Sequence, residues 1–87
     1  MNSDKELITV TIKSFLSPNE PMEDFKLGEP FEFNLPQDTP LGKLIQKMFS
    51  KKLEQLGLIA VNGQIASENV VLSHGDKIDL YALLDGG

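Results

Sequence analysis

Apolar and polar residues alternate one by one in two stretches of the first half of the chain. In residues 7–13, three β-branched residues occupy every second position: Ile8, Val10 and Ile12. Side chains on a strand point alternately to its two faces, so this period of two predicts a half-buried strand. Residues 31–35 repeat the alternation and predict a second strand. Between them, residues 17–30 contain three prolines and several acidic residues, which predicts a long loop.

The middle of the chain changes to a helical period. Thr39 is the predicted N-cap, and Pro40 fits the first helical position because its missing N–H would have no partner there. One face of the predicted helix is apolar and consists of Leu41, Leu44, Ile45, Met48, Phe49, Leu53 and Leu56. We expect this face to be buried, with Leu44, Ile45 and Met48 among the most buried residues. Gly57 is the predicted helix stop, so the helix would span residues 40–56.

The second half of the chain predicts three short strands. Residues 58–61 are apolar and run into Asn62-Gly63, a pair typical of a two-residue hairpin turn with positive φ at both positions. Residues 64–66 would form the return strand, and a loop anchored by three apolar residues would follow: Val70, Val71 and Leu72. The last strand, residues 78–84, alternates again. Its inward residues would be Ile78, Leu80, Ala82 and Leu84, and its outward residues Asp79, Tyr81 and Leu83.

The predicted order β-β-α-β-β-β indicates an α+β domain in which one helix packs across a mixed sheet of four to five strands. Crossover connections are nearly always right-handed, so the last strand can lie parallel beside the first. We therefore expect residues 8–12 and 78–84 to be neighbouring parallel strands. A chain of 87 residues is one domain, here residues 1–84, followed by a short tail, residues 85–87, that we expect to be mobile.

Composition excludes several classes of function. The net charge of −5 argues against nucleic acid as a partner. The first residues have neither a basic nor an apolar signal-peptide region, and no apolar run approaches the ~20 residues of a membrane span, so we expect a cytoplasmic protein without a membrane partner. The chain has no cysteine and one histidine, His74, which leaves little for metal or nucleophilic chemistry. His74, in a turn, is interpreted as structural.

The unusual feature of this sequence is its tail, in which Asp85 is followed by the glycine pair Gly86 and Gly87. An α-carboxyl group is ionised at neutral pH, so the Gly87 carboxylate could act as a nucleophile without a base on this chain. Glycine lacks a Cβ, and a Gly-Gly tail can therefore pass through a narrow channel. The sequence has no phosphate-binding loop, so we expect no bound cofactor here.

Three motifs together resemble the ThiS/MoaD family of sulfur carriers: residues 61–63 (Val-Asn-Gly), residues 72–78 (Leu-Ser-His-Gly-Asp-Lys-Ile) and the final Gly-Gly. The resemblance covers the half from Leu58 onward by motif and the first half by pattern only. It implies a ubiquitin-like β-grasp fold and an E1-like activating enzyme that adenylates Gly87, with ATP and Mg²⁺ bound to that partner enzyme. A sulfur donor would then convert Gly87 to a thiocarboxylate, with Gly86 as its companion in the tail. Asp85 departs from the family, which usually has a small or uncharged residue there.

On this interpretation the chain is a carrier and not an enzyme. Two alternatives remain: the small subunit of molybdopterin synthase, held by a large subunit, or a ubiquitin-like modifier or binding module. The long loop and Phe15 resemble the molybdopterin type of carrier. The receiving pathway, whether molybdopterin, thiamine or another, stays open.

Two surfaces are candidates for partner binding. Tyr81 and Leu83 point away from the helix on the strand that leads to the tail, and they are either partly covered by neighbouring strands or a contact patch for the activating enzyme. Four lysines line the predicted outer helix face: Lys43, Lys47, Lys51 and Lys52. They form either a solvated face or a docking site for an acidic partner.

Overall fold

Five strands, one α-helix and one short 3₁₀ helix make up the part of the chain that the computed structural model describes, residues 6–83. In chain order they are β1 (Leu7–Ser14), β2 (Pro30–Pro36), α1 (Leu41–Phe49), the 3₁₀ helix (Leu53–Gln55), β3 (Leu56–Val61), β4 (Gln64–Ile65) and β5 (Lys77–Ala82). The strands form one mixed sheet in the order β2-β1-β5-β3-β4. The architecture is that of an α+β β-grasp fold, as predicted.

The two central strands are the first and the last of the chain. β1 and β5 run parallel, and Ile12 pairs with Ile78 in their register. The other neighbours are antiparallel: β1 with β2, β3 with β5, and β3 with β4. The prediction that residues near 8–12 and 78–84 are adjacent parallel strands is therefore confirmed as far as Ala82, where β5 ends. Leu84 lies outside the described residues.

The core lies between α1 and one face of the sheet. The strands contribute alternate residues that are fully buried, including Val10, Ile12, Ile78 and Leu80. From the helix, Leu44 is inaccessible to solvent, and Ile45 and Met48 are also buried. The predicted burial of these three helix residues is confirmed. Removing apolar surface of this kind from water is the main favourable term in folding.

The helix is shorter than predicted at both ends. It begins at Leu41 with Pro40 in the N-cap position, while the Thr39 hydroxyl donates to the Pro36 carbonyl at 2.6 Å instead of capping α1. It ends at Phe49, so the prediction of helix over residues 50–56 was wrong. Leu53 is exposed in the separate 3₁₀ helix.

Gly57 lies in β3 and does not end the helix, contrary to the prediction. A Cβ built at Gly57 would lie 2.9 Å from the carbonyl oxygen of Tyr81, which is closer than real Cβ contacts. The absence of a side chain therefore lets β3 pass close to β5. The glycine marks a close approach of two strands, not a helix boundary.

The loop after β4 caps the N-terminus of α1 with its backbone. The Leu41 N–H donates to the Val70 carbonyl at 2.7 Å, and the Gly42 N–H donates to the Glu68 carbonyl at 2.9 Å. These two donors have no partner within the helix, so the loop carbonyls accept the hydrogen bonds that a capping side chain accepts in other helices. Leu72 is a buried anchor of this loop, as predicted, whereas Val71 is exposed.

Candidate functional site

The sheet has an outer face that α1 does not cover. Successive strand residues point to opposite faces, so the neighbours of buried Ile12 and Ile78 point outward. The parallel register pairs Thr11 with Lys77 and Lys13 with Asp79 on this face. Tyr81, two residues beyond Asp79 on β5, points the same way.

An aromatic stack lies at the end of this face. The rings of Phe15 and Tyr81 have centroids 5.4 Å apart and planes inclined by only 12°. The β1–β5 pairing continues beyond Ser14, because the Phe15 N–H donates to the Leu80 carbonyl at 2.9 Å. Each of the two aromatic residues is 41% exposed, so the rings cover one another only in part.

Gly28 supports the Phe15 ring from the long loop. Its φ is +76°, and its N–H donates to the Ser14 carbonyl at 2.7 Å. A Cβ at this position would lie 3.1 Å from Cε1 of Phe15, so the glycine backbone packs directly against the ring. In the sequence, Phe15 stands out only by resemblance, and its contacts with Tyr81 and Gly28 were not predicted.

Leu83 is an exposed apolar residue just past the end of β5. The residue is 59% exposed, and its backbone N–H donates to the Gln55 carbonyl at 2.8 Å. Leu58, on the outer face of the adjoining strand β3, is exposed to the same extent. We call Phe15, Leu58, Tyr81 and Leu83 the apolar patch. Of the two predicted partner-binding residues, Tyr81 is partly covered by Phe15, and Leu83 has its backbone fixed while its side chain is exposed.

The tail residues Asp85, Gly86 and Gly87 lie outside the described residues. The sequence places them directly after Leu83 and Leu84, which follow β5. The chain therefore reaches the tail from the central strand of the sheet that carries the apolar patch.

The turn residues beside the sheet bond to one another. Asn62 has a φ of +54°; its Nδ2 donates to Asp76 Oδ1 at 3.0 Å, and its Oδ1 accepts from the Lys77 N–H at 3.0 Å. His74 Nδ1 accepts a hydrogen bond from the Thr9 N–H at 3.1 Å. These bonds join the β3–β4 turn to the start of β5, and the loop before β5 to β1.

Only Lys43 and Lys47 of the four lysines lie on α1, contrary to the prediction, because the helix ends at Phe49 and Lys51 and Lys52 follow it. Two of the four lysines contact their own chain. Lys47 Nζ lies 5.9 Å from the centroid of the Phe33 ring, and Lys52 Nζ donates to the Ser17 carbonyl at 3.0 Å. Lys43 is exposed on the helix surface. The contacts of Lys47 and Lys52 within the chain fit a structural role, and the exposure of Lys43 fits a solvated surface.

Within residues 6–83, no three histidine or carboxylate side chains come close enough together to hold a metal ion. No helix in this part of the chain is long and apolar enough to cross a membrane.

The fold is similar to that of an archaeal ubiquitin. The ubiquitin of Caldiarchaeum subterraneum superposes with a TM-score of 0.55 at 17% sequence identity, over 94% of this chain and 100% of the other. No protein-family model and no curated protein sequence matches this chain. At this level of identity the similarity shows the fold, which is a ubiquitin-like β-grasp.

Proposed function

We propose that this protein is a sulfur carrier that works through the carboxylate of Gly87. The observation that carries the proposal is the position of the Gly-Gly sequence. It follows the central strand of a ubiquitin-like sheet, and Tyr81 near the end of that strand and Leu83 just past it are exposed. The motif resemblance over residues 61–63 and 72–78 supports the same assignment. The proposal requires that Gly87 has a free α-carboxylate.

The proposed reaction has two steps, both on a partner enzyme that binds ATP and Mg²⁺. A carboxylate oxygen of Gly87 attacks the α-phosphorus of ATP and displaces pyrophosphate, which gives an acyl adenylate. A sulfide-level sulfur from the donor then attacks the carbonyl carbon and expels AMP, which leaves with one of the original carboxylate oxygens. The net change at Gly87 is one oxygen replaced by one sulfur, and this chain contributes the carbonyl group but no catalytic side chain.

Docking of the E1-like activating enzyme is proposed to occur at the apolar patch. An enzyme that holds Gly87 must approach the surface around the end of β5, and Leu83 and Tyr81 are the exposed apolar residues closest to the tail in sequence. Partly exposed aromatic side chains are enriched at protein interfaces, because they bury a large area with few rotatable bonds.

The test is thiocarboxylation in a defined mixture. The purified chain is incubated with the E1-like enzyme from the same genome, ATP, Mg²⁺ and sulfide, and intact mass detects the exchange of oxygen for sulfur. The mass of the untreated chain also shows whether it ends at Gly87. Deleting Gly87 should abolish the exchange while circular dichroism stays unchanged, and Lys43→Ala, on the opposite side of the molecule, should be modified normally. Normal modification of the truncated chain would refute the proposal.

A ubiquitin-like modifier is the second candidate, because the structural similarity is to a protein named as a ubiquitin. In that case the Gly87 carbonyl would form amide bonds with lysine side chains of other proteins. Isopeptide adducts in cell extracts would favour this function. Stable co-purification with a larger subunit would instead favour the small subunit of molybdopterin synthase.

A further inference from the structure

A shallow depression of ≈ 630 Å³ lies on the outer face of the sheet. Its lining includes side chains from both central strands: Thr11 and Lys13 from β1, and Lys77 and Asp79 from β5. Gly63 of the hairpin turn forms part of its rim, and no atom lies within 4 Å of where a Gly63 Cβ would stand. The depression is therefore open to an approaching molecule at this edge.

The charge of the depression differs from that of the whole chain. The charged residues that line it are two lysines and one aspartate, whereas the chain carries a net charge of −5. Exposed Glu32 of β2 stands opposite Thr11 beside the depression and partly offsets the lysines. The sheet register fixes this arrangement, because Lys77 stands opposite Thr11 and Asp79 stands opposite Lys13 on neighbouring parallel strands. The pairing of β1 with β5 thus sets the positions of Lys13 and Lys77.

The depression is continuous with the apolar patch. Lys13 lines the depression, and its Nζ lies 6.0 Å from the centroid of the Phe15 ring. Phe15 in turn is stacked on Tyr81. A molecule that covers the two aromatic rings therefore reaches the ammonium groups of the depression without leaving the outer face.

We infer that the protein partner that docks on the apolar patch also places a carboxylate in this depression, within reach of Lys77 and Lys13. The partner surface then combines apolar side chains with an aspartate or glutamate beside them. This inference rests on the proposed function, since it describes how the activating enzyme recognises its carrier. Asp79 opposes the incoming carboxylate and weakens the attraction, which gives the inference a test with effects of opposite sign.

The experiment measures kcat/KM for adenylation by pyrophosphate exchange, using the full chain and the E1-like enzyme from the same genome. Lys77→Gln should lower kcat/KM about 5-fold, and Asp79→Asn should raise it about 2-fold, as expected for single charges at the edge of an interface. Lys43→Gln, an exposed lysine on the helix, is the matched control and should change nothing. Added salt should reduce kcat/KM more steeply for the wild type than for Lys77→Gln.

The outcomes separate this inference from the proposed function. If the wild-type chain is not adenylated, the proposed function fails, and titration calorimetry with the same enzyme still measures the charge effects on binding. No binding at all overturns both proposals. Binding or turnover in which Lys77→Gln behaves like Lys43→Gln overturns only the acidic-partner inference. Self-association lost in Lys77→Gln, or saturable inorganic phosphate binding there, would also overturn it, by assigning the depression to a second copy or to a free anion.

Discussion

The backbone N–H of Asn19, in the long β1–β2 loop, donates to the carbonyl oxygen of Met48 at 2.7 Å. Met48 is in the last turn of α1, where carbonyls have no partner within the helix. The Asn19 side chain adds two bonds just beyond the helix: its Nδ2 donates to Ser50 Oγ and its Oδ1 accepts from the Lys51 N–H, both at 3.0 Å. One loop residue therefore completes the C-terminal end of the helix.

Replacing Asn19 with alanine should lower the free energy of unfolding by about 1–2 kcal/mol. The two side-chain hydrogen bonds to Ser50 and Lys51 are lost, and only the backbone bond to Met48 remains. Urea denaturation measures the change. Glu20→Ala, an exposed neighbour in the same loop, should stay within a few tenths of a kcal/mol of the wild type. Equal stability of Asn19→Ala and Glu20→Ala would mean that the loop does not support the helix end.

Gly42→Ala tests the contact at the other end of α1. Alanine is favoured over glycine in a helix interior by up to about 1 kcal/mol. Here, however, the added Cβ would lie 3.0 Å from Cβ of Glu68 and 3.2 Å from its carbonyl oxygen, which caps the Gly42 N–H. We expect the loss of this capping hydrogen bond to cost more free energy than the higher helix propensity of alanine contributes. The net effect should be a destabilisation of about 1 kcal/mol. A stabilised Gly42→Ala variant would show that the loop moves aside freely; Gln46→Ala is the control.

Two variants of Asn62 separate backbone strain from side-chain bonding. Asn62→Ala loses both side-chain hydrogen bonds and places a Cβ-bearing residue without a polar side chain at a φ of +54°. Its free energy of unfolding should fall by about 2–3 kcal/mol. Asn62→Gly tolerates the positive φ and should lose about 1 kcal/mol less than alanine. Thermal or urea unfolding of the pair measures both parts, and identical values would mean that the turn conformation contributes nothing.

The sequence predicted the elements whose signals are local. Alternation in residues 7–13 and 31–35, the apolar face from Leu41 to Phe49 and the Asn62-Gly63 turn all appear in the structure. The end of the helix could not be predicted in this way. Leu53 and Leu56 continue the helical period, but the chain leaves the helix where Asn19, far away in sequence, bonds to Met48 and Lys51. A tertiary contact overrides the local pattern there.

The candidate site was predicted in part. The outward direction of Tyr81 and Leu83 followed from strand alternation, and of the two interpretations left open, Tyr81 is partly covered whereas Leu83 is exposed. The stack on Phe15 depends on the register in which β1 and β5 pair, and a single sequence does not encode that register in any short motif. The depression lined by Lys13 and Lys77 was missed for the same reason, because it joins side chains from strands at opposite ends of the chain.

The binding role of the apolar patch can be tested by truncating its two residues nearest to the tail. An anchor residue that becomes desolvated at the centre of an interface typically contributes about 2 kcal/mol or more, whereas exposed charges contribute far less. Tyr81→Ala and Leu83→Ala should therefore each weaken binding to the activating enzyme by roughly 10-fold or more in a calorimetric titration.

The two substitutions differ in their effect on the fold, which makes them a useful pair. Tyr81→Ala removes the stack on Phe15 and should lower the free energy of unfolding by about 1 kcal/mol or slightly more. Leu83 is 59% exposed and its hydrogen bond to Gln55 is made by the backbone, so Leu83→Ala should leave stability almost unchanged. A loss of binding in Leu83→Ala thus reports on the interface alone.

Substitution of Lys43 and Lys47 should alter little beyond the salt dependence of binding. If the lysine variants lose more affinity than Leu83→Ala, the partner docks on the exposed face of α1 that carries Lys43 and Lys47.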